Sequence, residues 1–166
     1  MTSISIRLST RDDGKVTHPD ERLTIRPIQP RHQRQWRSLW KQYLDFYDAS
    51  LPDAVTDRTW QRMLDGGSVI GLAAVRPPDL VGFAIAVLHE ATWSIGRTAY
   101  LEDLYVPNSE RGRGIGRKLI DAVISRARAE GCAAIYWHTR ASNDAAQRLY
   151  DSYAEADDFV RYRFTL

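Results

Sequence analysis

Apolar and polar residues alternate over residues 22–30, "RLTIRPIQP", with the two-residue period of a first strand. The period then lengthens. Trp36, Leu39, Trp40, Tyr43, Leu44 and Tyr47 fall on one face of a helix. "DASLPD" interrupts that helix, and a shorter one is predicted over residues 56–64, closed by Gly66-Gly67. "SVIGLAAVR" and "LVGFAIAVLHE" flank Pro77-Pro78-Asp79 and read as a hairpin. "TAYLEDLYV", residues 98–106, is a further central strand stopped by Pro107. Ile115, Leu119, Ile120, Val123, Ile124 and Ala127 restore the helical period up to Gly131. "CAAIYWHT" reads as a strand, "SNDAAQRLYD" as a short helix capped by Ser142 or Asn143, and "FVRYRFTL" as a last strand. The link from strand 98–106 through a helix to strand 133–139 has the length of a right-handed parallel crossover. The other links are hairpin-like, so the pattern predicts an α/β domain with a mixed sheet.

The helix entrance at residues 109–121, "SERGRGIGRKLID", is unusual. Gly112, Gly114 and Gly116 stand where a helix is about to begin, although glycine costs a helix roughly 1 kcal/mol relative to alanine. A dinucleotide-binding G-x-G-x-x-G fails because Arg117 or Leu119 stands where its last glycine is needed, and a P-loop fails at Arg117 as well. The general physics survives both failures. A strand, a glycine-rich turn and a helix N-terminus present free N–H groups and a positive dipole end, and Arg111, Arg113, Arg117 and Lys118 surround them. The alternatives are an anion site and a plain helix entrance with a solvated basic face.

Composition narrows the class. The 166 residues suffice for one domain, assigned to residues 21–166, with residues 1–20 a mobile leader or an extra strand. With 43% hydrophobic and 27% charged residues the chain reads as soluble and globular. A net charge of +2 argues against a dedicated nucleic-acid binder. The single cysteine, Cys132, excludes an internal disulfide and fits the cytoplasm. No transmembrane run, signal peptide or metal-ligand spacing is present, so no membrane or metal is expected.

"RGRGIG" resembles the R/Q-x-x-G-x-G/A signature of the GCN5-related N-acetyltransferases (GNAT superfamily), with Arg111, Gly114 and Gly116 in its fixed positions. "YLEDLYV" before it is similar to the matching strand of polyamine acetyltransferases. "NDAAQRLYD" resembles the family's N-x-x-A-x-x-L-Y helix, with Asn143, Ala146, Leu149 and Tyr150 in register. The resemblance covers residues 98–162 and is nearest to the yeast-type histone, polyamine and amino-acid acetyltransferases. It implies a mixed, mostly antiparallel sheet of six to seven strands flanked by about four helices, and acetyl-CoA as co-substrate. The loop Arg111, Gly112, Arg113, Gly114, Ile115, Gly116 and Arg117, with Asn143 and Ala146, would hold the pyrophosphate side; Leu104, Tyr105 and Val106 would meet the thioester and pantetheine arm through their main chain. Asp158 stands where many members have glycine before the final strand, so the last hairpin and any homodimer contact there depart from the family pattern.

An alkyl ammonium with a pKa near 10.4 must lose its proton before it attacks a thioester, so the site needs a base and must first attract a cation. Glu102 and Asp103 can both attract it. The resemblance makes Glu102 the base, direct or through water, and Tyr150 the acid for the leaving thiolate. Neighbours on a strand face opposite ways, so both carboxylates reach one substrate only across a bulge. Asp103, Tyr47, His89 and Trp93 are candidate acceptor contacts, with His138 an alternative base. The function expected is acetyl transfer to a primary amine, on a small cationic molecule such as a polyamine or amino acid or on a protein lysine. The alternatives are a non-catalytic acyl-CoA sensor and a nucleic-acid module using the basic loop.

Overall fold

The computed structural model describes Leu23–Thr165; the expectation for residues 1–20 lies outside the described residues. Element order is β1 (Thr24–Pro27), a 3-10 turn at Pro30–His32, α1 (Gln33–Phe46), α2 (Asp53–Asp65), β2 (Val69–Arg76), β3 (Asp79–His89), β4 (Thr98–Tyr105), a 3-10 turn at Asn108–Glu110, α3 (Ile115–Ala129), β5 (Ala134–Trp137) and α4 (Asp144–Tyr150). The strands lie in chain order in one sheet, antiparallel from β1 to β4 and parallel only between β4 and β5. That parallel pair is the predicted crossover, with α3 as its helix.

The sheet is covered on both faces, which is why β2 and β3 read as nearly unbroken apolar runs. Trp36, Trp40, Trp60 and Met63 of α1 and α2 pack on one face against Ala73, Phe83 and Ile85. Ile115, Leu119, Ile120, Val123 and Ala127 of α3 pack on the other against Leu72, Ala84, Ala86 and Leu101. Trp36 and Trp40 stack with ring centres 5.3 Å apart, and the Trp40 indole donates to Thr56 Oγ1 at 3.3 Å, tying α1 to α2. The predicted aromatic stripe is therefore core through Trp40. Beyond that, its Tyr43 and Tyr47 extend into the site.

Among the described residues five strands form, where six to seven were expected. Of residues 159–166, expected as the last strand, the described 159–165 pair with no other strand of the sheet. Phe159, Val160, Tyr162 and Phe164 are 82%, 72%, 91% and 88% exposed. Alternation is a local signal, whereas a strand also needs a partner edge. β5, at four residues, presents a short one.

Candidate active site

The site is built where β4 stops behaving as an ordinary strand. β4 pairs with β3 through Ile85–Asp103 and then Ala86–Leu101, so Glu102 is the extra residue of a β-bulge. On its other side β4 pairs with β5 only from Thr98–Ala134 to Leu101–Trp137. Beyond Leu101 the two strands part, and residues 102–105 have one edge free of the ladder. Bulge and splay begin together. The bulge brings adjacent carboxylates to one side, the condition that alternation alone forbids.

A cavity of about 610 Å3 opens there, walled by α1 and α2, by Ile85 and Val87 of β3, and by Tyr100, Glu102 and Asp103 of β4. Glu102 is exposed and Asp103 half-buried. Burial is the main cause that pushes the Asp103 carboxyl up to about 7, and the Glu102 charge adds to it; an interaction with the Tyr43 hydroxyl works the other way. Burial and the facing Asp103 charge hold the Tyr43 phenol protonated.

A second cavity, about 430 Å3, lies on the other side of Tyr43 and Tyr47, which line both. Leu104, Tyr105 and Val106 form one wall; Arg111, Gly112, Gly114, Ile115, Gly116 and Arg117 form its end; Asn143, Ala146, Leu149 and Tyr150 close it. Pro107 ends β4 and the 3-10 turn swings the chain into the glycine loop. Gly112 and Gly114 sit at φ +76° and +74°, a left-handed region that favours glycine, and a Cβ at either would meet nothing within 4 Å. Their need for glycine is torsional, and their open side faces the cavity. Gly116 differs: a Cβ there would come 3.2 Å from the Leu149 side chain of α4. Gly114 caps α3 without a side-chain acceptor, and the first return bond of the helix is Lys118 N to Gly114 O at 3.1 Å. The N–H groups of residues 112–117 have no acceptor among the described residues, so they are available to an anion.

The basic side chains serve this loop unequally. Arg111 donates to the Val106 carbonyl at 3.0 Å and lies over Phe46, and Arg117 donates to Ser152 Oγ at 2.9 Å. Arg113 is outside the cavity lining and pairs with Glu110 at 3.6 Å. Asn143 caps α4 as predicted, its Oδ1 accepting from Ala146 N at 3.3 Å. Tyr150 packs against Trp137 with ring centres 5.4 Å apart, and burial pushes its hydroxyl up to about 12.

Three of the sequence candidates stand apart. Trp93 is 95% exposed, and neither it nor His89 lines either of these two cavities; His89 instead meets Tyr136. His138 packs edge-on to Tyr100 and Tyr136 and lines neither cavity. Sequence reasoning missed Tyr100 and Arg140 as cavity residues, together with Arg161 and Arg163, which a strand reading had assigned to the sheet. No signal short of the tertiary arrangement marks them. Among the described residues no group of three or more His, Cys, Asp or Glu is placed to hold a metal, and no helix is long and apolar enough to cross a membrane.

Known proteins match this arrangement. The family model of the acetyltransferase (GNAT) family matches residues 26–154. The D-amino-acid N-acetyltransferase HPA3 of Saccharomyces cerevisiae is 35% identical over 159 residues, covering 94% of this chain and 98% of its own. The thialysine N-epsilon-acetyltransferase of Bos taurus is 36% identical over 92 residues, covering 52% of this chain and 54% of its own. In fold, the chain superposes with a TM-score of 0.76 and 22% identity on an aminoglycoside acetyltransferase from an uncultured soil metagenomic sample, over 90% of this chain and 99% of that one. This chain belongs to the acetyltransferase (GNAT) family, whose members are acetyl-CoA-dependent acyltransferases.

Proposed function

We propose that the chain transfers the acetyl group of acetyl-CoA to a primary amine of a small molecule, with the donor in the glycine-loop cavity and the acceptor in the cavity beside Glu102 and Asp103. One observation carries this reading: two cavities share Tyr43 and Tyr47 and meet along β4, one lined by carboxylates and the other by a helix N-terminus. The residues present fit the donor. Unpaired N–H groups from Gly112 to Arg117 would hold its pyrophosphate, and the free edge of Leu104 to Val106 would take the pantetheine arm and point N–H groups at the thioester oxygen. Bound acetyl-CoA would supply the thioester whose acyl carbon the amine attacks, with loss of the thiol. Two relatives named for a D-amino acid and for thialysine support a small amine as acceptor.

The proton chemistry falls to residues at the junction. Glu102, exposed at the cavity mouth, draws in the ammonium. Asp103 takes its proton. The family resemblance assigns the base to Glu102, but the Asp103 carboxyl, pushed up to about 7 chiefly by burial, is matched to proton uptake at neutral pH. Tyr150 stays protonated and donates a hydrogen bond where the sulfur departs. With its hydroxyl near 12 and a free thiol near 8.5, complete proton transfer would run uphill by roughly 3.5 pKa units. Hydrogen-bond stabilisation of the developing thiolate is therefore its main contribution. Arg113 projects away and has no role in this scheme beyond its ion pair.

The base assignment is tested by Asp103→Asn. Calorimetry should find acetyl-CoA affinity within about twofold of the parent, while turnover read by released thiol falls by roughly a hundredfold. A full rate in Asp103→Asn and a collapse in Glu102→Gln would return the base to Glu102.

A further inference from the structure

The acceptor cavity carries more positive than negative charge. Arg62 of α2, Arg140 after β5, and Arg161 and Arg163 of the C-terminal segment line it against two carboxylates, Glu102 and Asp103. None of these four guanidinium groups belongs to an ion pair among the described residues. Arg140 is anchored at the wall: its Nη2 donates to the Tyr47 carbonyl at 3.0 Å and its guanidinium lies 4.9 Å from the centre of the Tyr47 ring. The charge of Arg161 reaches the Tyr100 phenol of β4, where it opposes the rise that burial imposes. Arg161 and Arg163 reach the cavity while Val160, Tyr162 and Phe164 beside them are exposed. The segment that forms no strand thus contributes its charged positions to the site.

Such a wall selects among amines. A polyamine or aminoglycoside would bring several positive charges into a cavity where guanidinium groups already outnumber carboxylates, and like-charge repulsion opposes it. A molecule bearing one amine near a carboxylate meets both signs. The planar fork of a guanidinium binds a carboxylate through paired N–H···O bonds, shorter and stronger than neutral ones. The same positive charges lower the pKa of an ammonium held beside them, so that more of it is present as the nucleophile.

We propose that Arg161 and Arg163, with Arg140 behind them, form a carboxylate subsite, and that the acceptor is a free amino acid whose amine faces Asp103. This rests on reading the cavity as the amine site of an acetyltransferase. Lysine and cadaverine differ by one carboxylate and serve as the probe pair, with both enantiomers of lysine assayed. For the parent protein, kcat/KM for at least one lysine enantiomer should exceed that for cadaverine by tenfold or more. In the Arg161→Gln/Arg163→Gln double variant KM for lysine should rise until the two amines differ by less than about threefold, well inside the tenfold step that one such contact supplies. Both positions are exposed, and an unshifted thermal midpoint checks that folding is untouched. Equal use of lysine and cadaverine by the parent, or a variant that slows both by one factor, overturns the subsite while amine acetylation stands. Released thiol with neither probe nor with any other primary amine overturns the subsite and the acetyltransferase reading together.

Discussion

Asp103 has a cost as well as a use. Its carboxyl is raised in the folded chain above its ordinary value of 3.8 to about 7, chiefly by burial. Between those two values the unfolded chain releases a proton that the folded one keeps, so stability falls as pH rises through that window, by about 1.4 kcal/mol per pH unit at most, and levels off above it. Asp103→Asn removes the penalty: above pH 8 the variant should unfold at a higher temperature than the parent, and near pH 4 the two should coincide. A variant no more stable at pH 8 would mean that the carboxyl is not desolvated. The same group predicts that kcat/KM rises with pH through about 7 and that this limb vanishes in Asp103→Asn. Tyr150→Phe keeps the ring on Trp137 and deletes the hydroxyl. Turnover should drop by roughly tenfold to a thousandfold at unchanged cofactor affinity, and an acyl donor with a more acidic thiol should restore part of it. A rate equally slow with the better leaving group would make Tyr150 a positioning residue. The pair Glu102-Asp103 is legible in the sequence; which of the two is buried is not, because that depends on how β4 registers against β3.

At the scale of elements, the glycine loop and the bulge carry the design. Gly114 holds a left-handed torsion at the N-cap of α3 and faces open space, so Gly114→Val combines backbone strain of about 1–2 kcal/mol with a branched side chain in the glycine-loop cavity. Gly131, also at φ +74° with open space around it, lies at the far end of the same helix. Gly131→Val should therefore destabilise by a similar amount and leave acetyl-CoA affinity alone, whereas Gly114→Val should weaken it by tenfold or more, about 1.4 kcal/mol. Equal affinity in both folded variants would remove the phosphate assignment. Helices, β1 to β4 and the crossover are readable from periodicity and turn residues, since those signals are local. The final segment is not. Residues 159–165 have strand chemistry without a strand partner among the described residues, and Arg161 and Arg163 line the carboxylate-lined cavity.

Across the whole molecule, the two helical layers bury both faces of the sheet and leave β4 as the seam between the glycine-loop cavity and the carboxylate-lined cavity. Tight binding of the donor is compatible with a sensor as well as an enzyme, and the difference lies in whether the seam transmits chemistry. The stretches "RGRGIG" and "NDAAQRLYD" supply most of the lining of the glycine-loop cavity, because that lining comes largely from a contiguous loop and helix. The carboxylate-lined cavity gathers α1, α2, β4 and the C-terminal segment from distant parts of the chain, so no short motif encodes it. The measurement that bears most directly on the account is incubation of the parent chain with acetyl-CoA and a panel of primary amines that includes amino acids. Released thiol is followed with a chromogenic disulfide and product by mass spectrometry. One thiol should be released per N-acetylated amine, at a rate that depends on the amine present. Acetyl-CoA bound at the glycine loop with no amine-dependent thiol release would contradict it.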